Sequence, residues 1–427
     1  MGTVQQRIAV VDGYRTPFLE SFDEYSGLSA IDLAQQVVAK LVQATDLPPG
    51  VVDEVIFSCG APPVIAPNIG REVVLRLGLG TSIPGYTLNQ ACISSFQTVI
   101  NAAQQILAGK ARAVICGGVE ALSMAPVPFP SKLITALHEL SKSGTRLRKF
   151  HSLRHLDPRD FFPKPLQFLE PSTGLSLGEH AENLAKEYSI SRKAQDEFAF
   201  RSHSLAGAAL REGRFAEELA PVYNGETMIT VDGCIRLDTD LEQLARLTPL
   251  HDPTFGTVTS GNSTPLTDGA SAVLVMREDH AKALGYRPLG YLVDHATIAS
   301  DPDVQPLLGP VFATRKLFET CTVPYSSMDL IDLHEASAAA VLAVQHCFDS
   351  KTFSDEHLGG GTPIGEIDPE KLNTYGGSIA LGHPYAATGC RMILRSLREL
   401  RRTSLHYALL TSGAAGAMGT SLVVETD

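Results

Sequence analysis

The sequence lacks three features that would each indicate a particular class of protein. Its seven cysteines are odd in number and include no CxxC pair, which argues against a disulfide framework and against a zinc ribbon. The longest nearly unbroken apolar run, at about residues 336–344, is far shorter than the roughly 18 residues that a membrane-spanning helix needs. A strand-like run begins at residue 7 and leaves no room for a targeting peptide. We therefore expect a cytoplasmic protein.

Positive charge is also scarce. The chain has 35 lysines and arginines against 47 aspartates and glutamates, which gives a net charge of -12. This balance argues against a nucleic-acid partner, although it allows a local basic patch. The 427 residues, 44% of them hydrophobic, are too many for one simple core and predict two or three closely packed units.

The chain contains an internal repeat. Alternating strand and helix patterns predict an α/β fold, and a shift of 276 residues superimposes segment 41–57 on segment 317–333 without a gap. The predicted strands 7–11 and 113–116 have counterparts near 287–293 and 407–410. We therefore predict two duplicated βαβ-type halves, whose corresponding loops face one crevice at the carboxyl ends of a mostly parallel sheet.

One cysteine occupies a position suited to a nucleophile. Cys92 lies in the sequence NQACISSF, where the apolar periodicity of residues 91–107 predicts a helix. The positive end of the helix macrodipole would favour the thiolate, which is the nucleophilic form of cysteine. The alternative interpretation is a small buried hydrophobic residue.

Two histidines of the second half lie in corresponding loops. His334 follows a predicted strand at 330–333 in the sequence HEAS, and His383 lies in GGSIALGHP at the start of a predicted helix at 386–397. His383 therefore occupies about the same place in its half as Cys92 does in the first half. A helix-start thiol and two imidazoles form a candidate nucleophile and base set, and we expect no metal there.

A segment between the halves breaks the alternation of strands and helices. We predict an inserted, mainly helical loop domain at 119–249, an N-terminal half formed by 1–118 with 250–280, and a C-terminal half at 281–427. The strand that ends near residue 116 is followed by the glycine-rich sequence GGVEALS, which could bring backbone NH groups close to a ligand. Within the insertion, residues 131–164 are basic and amphipathic. They indicate an anionic ligand, an anionic membrane surface, a partner subunit or simply a solvated face.

Several long motifs together resemble the thiolase family. They are RTPF at 15–18, NQACISSF at 89–96, GGVEALS at 117–123, the run that starts LGEHAENLAKEYSISR at 177, GTVTSGNSTPLTDGASA at 256–272, DLHEAS at 332–337 and GGSIALGHPYAATGCR at 376–391. The resemblance covers essentially the whole chain and is strongest to the thiolase (β) subunit of the fatty-acid β-oxidation trifunctional complex and its bacterial relatives. It implies a layered αβαβα core and a 3-ketoacyl-CoA thiolase-like acyltransferase.

The resemblance also implies a role for each matching residue. Cys92 would carry the acyl group, His383 would be the base that activates it, and His334 would hold the thioester oxygen directly or through a water. The backbone NH groups of Cys92 and Ala415 would form the oxyanion hole, whose donors are commonly worth a few kcal/mol of the barrier.

The resemblance further implies what the protein would bind. Asn262 and Thr264 would line the pantetheine channel, coenzyme A thioesters would be the substrates, and no cofactor would be required. The family resemblance implies a homodimer or homotetramer, with a hydratase/dehydrogenase α subunit and a membrane surface as candidate partners of residues 131–164.

The chain departs from the family at a few positions. Gly413 stands where the family has a second catalytic cysteine, and glycine cannot carry a proton. The neighbouring Ser412 should point to the opposite face of the strand. Ser337 replaces a usual phenylalanine, while His180 and Leu177 replace a small hydroxyl residue and a methionine in the insertion, where they could alter the acyl pocket.

Three functions therefore remain open at the level of the sequence. The first is a thiolase-like acyltransferase that acts through Cys92 with a slowed carbon–carbon step. The second is a decarboxylating Cys-His-His condensing enzyme, which needs no second thiol. The third is a catalytically weakened subunit of a multienzyme complex.

Overall fold

The computed structural model describes residues 6–142, 154–163, 169–303 and 305–427. The strands in this part of the chain are β1 (Ile8–Arg15), β2 (Leu19–Glu20), β3 (Glu54–Ser58), β4 (Gly85–Leu88), β5 (Ala113–Glu120), β6 (Val222–Asn224), β7 (Thr227–Ile229), β8 (Thr267–Arg277), β9 (Gly290–Ala299), β10 (Leu330–Leu333), β11 (Tyr407–Ala414) and β12 (Met418–Glu425). The helices are α1 (Ala30–Ala44), α2 (Ile69–Arg76), α3 (Ser94–Leu107), α4 (Ser131–Lys142), α5 (Leu177–Glu187), α6 (Arg192–Arg211), α7 (Leu241–Ala245), α8 (Glu278–Ala283), α9 (Gly309–Phe318), α10 (Ala338–Asp349), α11 (Lys351–His357), α12 (Ser378–Leu381) and α13 (Thr388–Thr403).

One mixed sheet runs through both halves of the chain. Its order is β10-β11-β12-β9-β1-β8-β5-β3-β4, with β2 paired to β8. In the first half, β4, β3 and β5 are parallel, and β8 and β1 follow antiparallel. In the second half, β10 and β11 are parallel, and β12 and β9 follow antiparallel. A single parallel bridge between Ile331 and Leu372 occupies the place of β4. The repeated order confirms the predicted duplication.

Helices cover both faces of each half-sheet. Val55 and Phe57 of β3 point into a core shared with α1 and α2, whereas Ile56 points into a core shared with α3 and α13. In β11, Leu410 points into that same central core, whereas Leu409 points towards α9 and α10. This alternation with a period of two residues places α3 and α13 between the half-sheets. The layers are therefore helix, sheet, helix, sheet, helix, which confirms the predicted αβαβα core.

The duplication extends to individual hydrogen bonds. Asp53 accepts hydrogen bonds from the two backbone NH groups that lead into β5. Asp329 lies 276 residues later, and its carboxylate accepts hydrogen bonds from the two NH groups that lead into β11. The repeated aspartate therefore ties the start of one strand to its neighbour in both halves.

Two sequence-based expectations about the strands were wrong. The strand that begins at Ala113 continues through Glu120 instead of ending near residue 116, so Gly117 and Gly118 lie inside it and do not form a ligand loop. A Cβ atom on Gly118 would overlap the carbonyl oxygen of Ala386. In addition, the sheet is not mostly parallel, because β1, β8, β9 and β12 pair antiparallel with their neighbours. The division of the chain into 1–118 with 250–280, 119–249 and 281–427 remains our proposal.

The insertion contains the amphipathic helix that the sequence predicts. Leu133 of α4 is buried, whereas Ile134 and Leu137 are 56% and 51% exposed. Of the basic segment 131–164, residues 143–153 and 164 lie outside the described residues. No helix in the described part of the chain is long and apolar enough to cross a membrane.

A buried ionic network joins the insertion to both halves. Arg15 of the RTPF motif is fully buried and donates hydrogen bonds to Glu218 and to Asp232, both at 2.6 Å. Arg395 of α13 also donates to Glu218. Since buried charges need partners, the network requires all three segments to be in place.

Replacement of Arg15 should therefore destabilise the whole protein. We expect Arg15→Leu to lower the free energy of unfolding by about 3–5 kcal/mol, because Asp232 would remain buried without its partner cation. Urea denaturation followed by circular dichroism measures the loss. The matched control is Arg246→Leu, which removes a largely exposed ion pair with Glu242 and should cost less than about 1 kcal/mol. Equal losses in the two variants would contradict the prediction.

Candidate active site

Cys92 lies at a sharp corner between β4 and α3. The sequence predicted that the α-helix starts at residue 91. Residues Ala91–Ile93 instead form a 3₁₀ turn, and α3 starts at Ser94. Ala91 has a φ of 50°, a left-handed conformation that is unfavourable for alanine. The side chains of Asn89 and Ser94 hold this corner by hydrogen bonds to the Ala91 backbone. The corner places the Cys92 thiol at the junction of the two halves.

Both predicted histidines lie beside this thiol. One ring nitrogen of His334, one of His383 and the Cys92 sulfur lie within 4.8 Å of one another, and the two imidazole centroids are 4.1 Å apart. His334 Nδ1 lies 2.9 Å from Ser378 Oγ, and His383 Nδ1 lies 2.6 Å from Thr388 Oγ1. Among the described residues, neither Nε2 atom has a hydrogen-bond partner, although both atoms are buried. The Nε2 atoms are therefore available to a thiol or a substrate.

Burial keeps these three groups uncharged. It raises the pKa of the Cys92 thiol to about 12, although hydrogen bonds from the backbone NH groups of Ala415 and Cys92 lower it. Burial and the nearby Arg391 cation lower the pKa of His334 to about 3. Burial, His334 and Arg391 lower the pKa of His383 well below its ordinary value. The expectation that the helix start favours a thiolate was therefore wrong for the resting protein, since desolvation outweighs the macrodipole.

The second half reaches this corner through direct contacts with the first. Ser58 Oγ donates a hydrogen bond to the carbonyl oxygen of Ala386 at 3.1 Å, and Ser95 Oγ accepts one from the backbone NH of Cys390 at 3.0 Å. Gly389 lets α13 approach α3, because a Cβ atom there would lie 2.7 Å from the Phe96 backbone nitrogen. These contacts fix the segment that carries His383 relative to Cys92.

Two cavities meet at Cys92 and Leu177. The Gly413 cavity, of about 30 Å³, is mainly apolar and is lined by His334, Gly413 and Val344 among others. Such a volume holds about two water molecules. Gly413 faces this cavity, whereas the hydroxyl of Ser412 donates a hydrogen bond to the Gly413 carbonyl oxygen. The alternation of side chains along β11 therefore places residue 413, and not residue 412, beside the thiol.

The Glu170 cavity, of about 200 Å³, opens on the other side of Cys92. It is lined by Glu170, Tyr385 and Ala415. The Glu170 carboxylate accepts a hydrogen bond from the backbone NH of Gly416 at 2.6 Å. This contact holds the last loop so that the Ala415 NH group lies at the Cys92 sulfur.

Both residues predicted to line a pantetheine channel form hydrogen bonds within the protein. The Asn262 side chain is fully buried; its amide donates to Asp196 and to the Thr257 carbonyl oxygen, and its oxygen accepts from Thr259 NH. This geometry does not support a ligand contact for Asn262. Thr264 is partly exposed and donates a hydrogen bond to the Ser378 carbonyl oxygen, so its role remains a prediction.

The other departures have different environments. Ser337 caps α10 by accepting a hydrogen bond from Ala340 NH, which is the structural reason for a hydroxyl residue there. Leu177 lines both cavities. His180 Nε2 lies 2.8 Å from Thr173 Oγ1, and burial lowers the pKa of His180.

Comparison with known proteins identifies the family. The family description "Thiolase, N-terminal domain" matches residues 8–279, and "Thiolase, C-terminal domain" matches residues 286–426. The chain belongs to the thiolase family. It is 42% identical over 424 residues to the 3-ketoacyl-CoA thiolase of Colwellia psychrerythraea, with 99% of this chain and 98% of that protein covered.

Other relatives agree with this assignment. The 3-ketoacyl-CoA thiolase of Photobacterium profundum is 42% identical, with 99% of this chain and 97% of that protein covered. The crystal structure of human mitochondrial 3-ketoacyl-CoA thiolase in complex with CoA is 29% identical with a TM-score of 0.84, covering 99% of this chain and 98% of that one. The predicted thiolase fold and the acyltransferase class of this thiolase-family enzyme are thereby confirmed.

Sequence reasoning missed several residues of the thiolase site. Ser378 and Thr388 contact the two imidazoles, and Arg391 lies close enough to lower both of their pKa values. All three lie within the GGSIALGHPYAATGCR motif. Their hydroxyl and guanidinium groups, close to His383 in the sequence, could therefore have indicated hydrogen-bond partners for the histidines. The contact of Glu170 with the last loop could not be predicted in this way, because Glu170 lies in a distant part of the sequence.

The close approach of α13 to α3 generates a prediction. Gly389→Ala should force Phe96 away from α13 and move His383 relative to Cys92. We expect a loss of about 1–3 kcal/mol in the free energy of unfolding, measured by urea denaturation, and slower acyl transfer to Cys92. Gly413→Ala is the matched control for stability, because its added carbon would lie 3.3 Å from Pro310 Cδ. Wild-type stability of Gly389→Ala would refute the prediction.

Proposed function

We propose that this enzyme transfers the acyl group of a 3-oxoacyl-CoA to coenzyme A through a thioester on Cys92, as part of fatty-acid β-oxidation. The observation that carries the proposal is the buried cluster of the Cys92 sulfur, one ring nitrogen of His334 and one of His383, all within 4.8 Å of one another. The names of the 3-ketoacyl-CoA thiolase relatives and the CoA bound to the human neighbour support acyl-CoA as the substrate class.

The residues would act in a defined order. His383 Nε2 accepts the Cys92 proton, and the sulfur attacks the 3-oxo carbon of the substrate. This attack places negative charge on the 3-oxo oxygen of the substrate. The backbone NH groups of Cys92 and Ala415, which both lie at the sulfur, stabilise that charge. The bond between C2 and C3 then breaks, and the enolate of acetyl-CoA leaves. A coenzyme A thiol finally takes the acyl group from Cys92.

Gly413 removes the group that should protonate the departing enolate. Cys92 contributes a thiol to the lining of the Gly413 cavity, and no other described residue of that lining is a cysteine. The proton for C2 would therefore come from the imidazolium of His383 or from water. Loss of a dedicated acid–base group typically slows a proton-transfer step by about 10²- to 10⁴-fold.

The chemistry needs coenzyme A thioesters and no cofactor, and we propose a cytoplasmic homodimer or homotetramer. The half-exposed apolar stripe of α4, which includes Ile134 and Leu137, supports a docking role towards a hydratase/dehydrogenase subunit or a membrane surface. A weakened catalytic subunit retained for assembly would use the same stripe. Pull-down with a candidate subunit tests that version, and robust turnover by a pure homo-oligomer would remove the need for it.

Acylation of Cys92 is the first test. We expect intact-protein mass spectrometry after brief exposure to acetoacetyl-CoA to show one added acetyl group, since the Cys92 sulfur is the only thiol in the Gly413 cavity lining that the structure describes. Cys92→Ala should show no adduct and no thiolysis. Cys321→Ala is the matched control, because this partly exposed cysteine lies in the loop after α9, and it should acylate like the wild type. An unchanged adduct in Cys92→Ala would end the proposal.

Restoring the second thiol is a sharper test. Gly413→Cys should raise the rate of carbon–carbon cleavage by about 10²- to 10⁴-fold if proton transfer at C2 limits the wild-type enzyme. A Cβ atom there would lie 3.3 Å from Pro310 Cδ and 3.7 Å from the Leu307 carbonyl oxygen, so the new side chain requires a small shift of Pro310. Gly413→Ala controls for bulk. Equal thiolysis rates in the cysteine and alanine variants would show that the enzyme has another proton donor.

A decarboxylating condensing enzyme is the second candidate. The same trio of Cys92, His334 and His383 favours it, because loss of CO₂ generates a carbanion without removal of an α proton. Incubation with malonyl-CoA and an acyl-CoA separates the two functions. Absence of CO₂ release would exclude decarboxylative condensation.

A further inference from the structure

The hydrogen bonds around the buried His334 side chain indicate which of its ring nitrogens carries the proton. His334 Nδ1 lies 2.9 Å from Ser378 Oγ, and Arg391 Nη2 donates a hydrogen bond to the same oxygen at 3.2 Å. Ser378 is fully buried, and Arg391 is 1% exposed. The three side chains therefore form a short chain of hydrogen bonds that water does not reach.

The direction of these bonds follows from the chemistry of the donors. A guanidinium group can only donate, so Ser378 Oγ accepts from Arg391 and has a single hydrogen of its own to donate. Its neighbour Nδ1 of His334 is the acceptor that lies in reach. If Nδ1 carried a proton and donated it instead, the buried hydroxyl hydrogen would have no acceptor in this chain of bonds, which is unfavourable.

A neutral imidazole carries one proton, so an accepting Nδ1 requires the proton on Nε2. Burial and Arg391 lower the pKa of His334 to about 3, which excludes the doubly protonated form near neutral pH. The Nε2 atom is buried without a partner among the described residues, and one ring nitrogen of His334 lies within 4.8 Å of the Cys92 sulfur. His334 therefore presents an N–H donor, and not a lone pair, to the reaction chamber.

The other histidine has a different neighbour. His383 Nδ1 lies 2.6 Å from Thr388 Oγ1, and the described contacts of that hydroxyl include no guanidinium group. Thr388 Oγ1 can accept a hydrogen bond from His383 Nδ1–H, and the proton on Nδ1 leaves a lone pair on Nε2. The two neighbouring imidazoles can thus hold opposite tautomers.

We propose that Ser378 and Arg391 are positioning residues that hold His334 in its Nε2–H tautomer, so that His334 donates a hydrogen bond to the substrate oxygen and leaves His383 as the only base. The inference rests on the proposed function for its catalytic meaning. Arg391 is itself held near Asp332, with Nη1 3.7 Å from Oδ2, and Asp332 accepts a hydrogen bond from Tyr375.

The tautomer can be measured in the free protein without any substrate. Nitrogen-15 NMR of histidine-labelled protein distinguishes a protonated ring nitrogen from one with a lone pair, and comparison with His334→Asn assigns the signals. We expect Nε2–H in the wild type and in Ser378→Thr, which keeps the hydroxyl, but a shift towards Nδ1–H in Ser378→Ala. Ser396→Ala is the matched control, because it removes a buried hydroxyl that contacts Tyr375 and not His334. Nδ1–H in the wild type, or an unchanged tautomer in Ser378→Ala, would overturn the proposal.

Kinetics then test the catalytic consequence. We expect Ser378→Ala to lower kcat for thiolysis by about 10- to 100-fold with little change in KM, as for loss of a group that orients a catalytic histidine. Ser378→Thr should recover most of kcat, and Ser396→Ala should keep it. Equal kcat values in Ser378→Ala and Ser396→Ala would overturn the catalytic role. If the wild type cleaves no 3-oxoacyl-CoA while its His334 is the Nε2–H tautomer, the proposed function fails and the positioning of His334 stands.

Discussion

The site depends on the close contact between the starts of two helices, one from each half of the duplicated chain. Gly389 and Gly118 lack the side chains that would separate α13 from α3 and β5, and serine hydroxyls of the first half hold the backbone at Ala386 and Cys390. Cys92 and His383 come from segments about 290 residues apart, so neither half contains a complete site. The duplicated architecture is what brings the proposed nucleophile and the proposed base together.

Burial determines the resting state of that site. The thiol and both imidazoles are uncharged because desolvation shifts the pKa of each group away from its charged form. The NH groups of Cys92 and Ala415 already lie at the sulfur, and in the proposed mechanism they stabilise the negative charge that develops on the substrate oxygen. Fixed backbone dipoles would thus supply the electrostatic stabilisation, whereas Arg391 disfavours positive charge on either imidazole.

Much of this arrangement could be predicted from the sequence, because repeats and motifs are local. The 276-residue shift paired Asp53 with Asp329, and strand ends and helix starts indicated Cys92, His334 and His383. The raised thiol pKa could not be predicted, since it depends on how completely other segments cover Cys92. For the same reason, the internal hydrogen bonds of Asn262 became apparent only when Asp196 and Thr257 were placed around it.

The two ends of the long sheet are unequal, and this limits how copies of the protein can associate through it. Among the described residues, one end is β4, a four-residue edge strand, while the other end has only the single bridge between Ile331 and Leu372 beyond β10. Head-to-tail association of copies would require the β4 edge of one copy to pair with the β10 end of the next, and the hydrogen-bonding patterns of these two ends do not match. Two copies could join through β4 by a two-fold axis, which would pair the edge strand of one copy with that of the other.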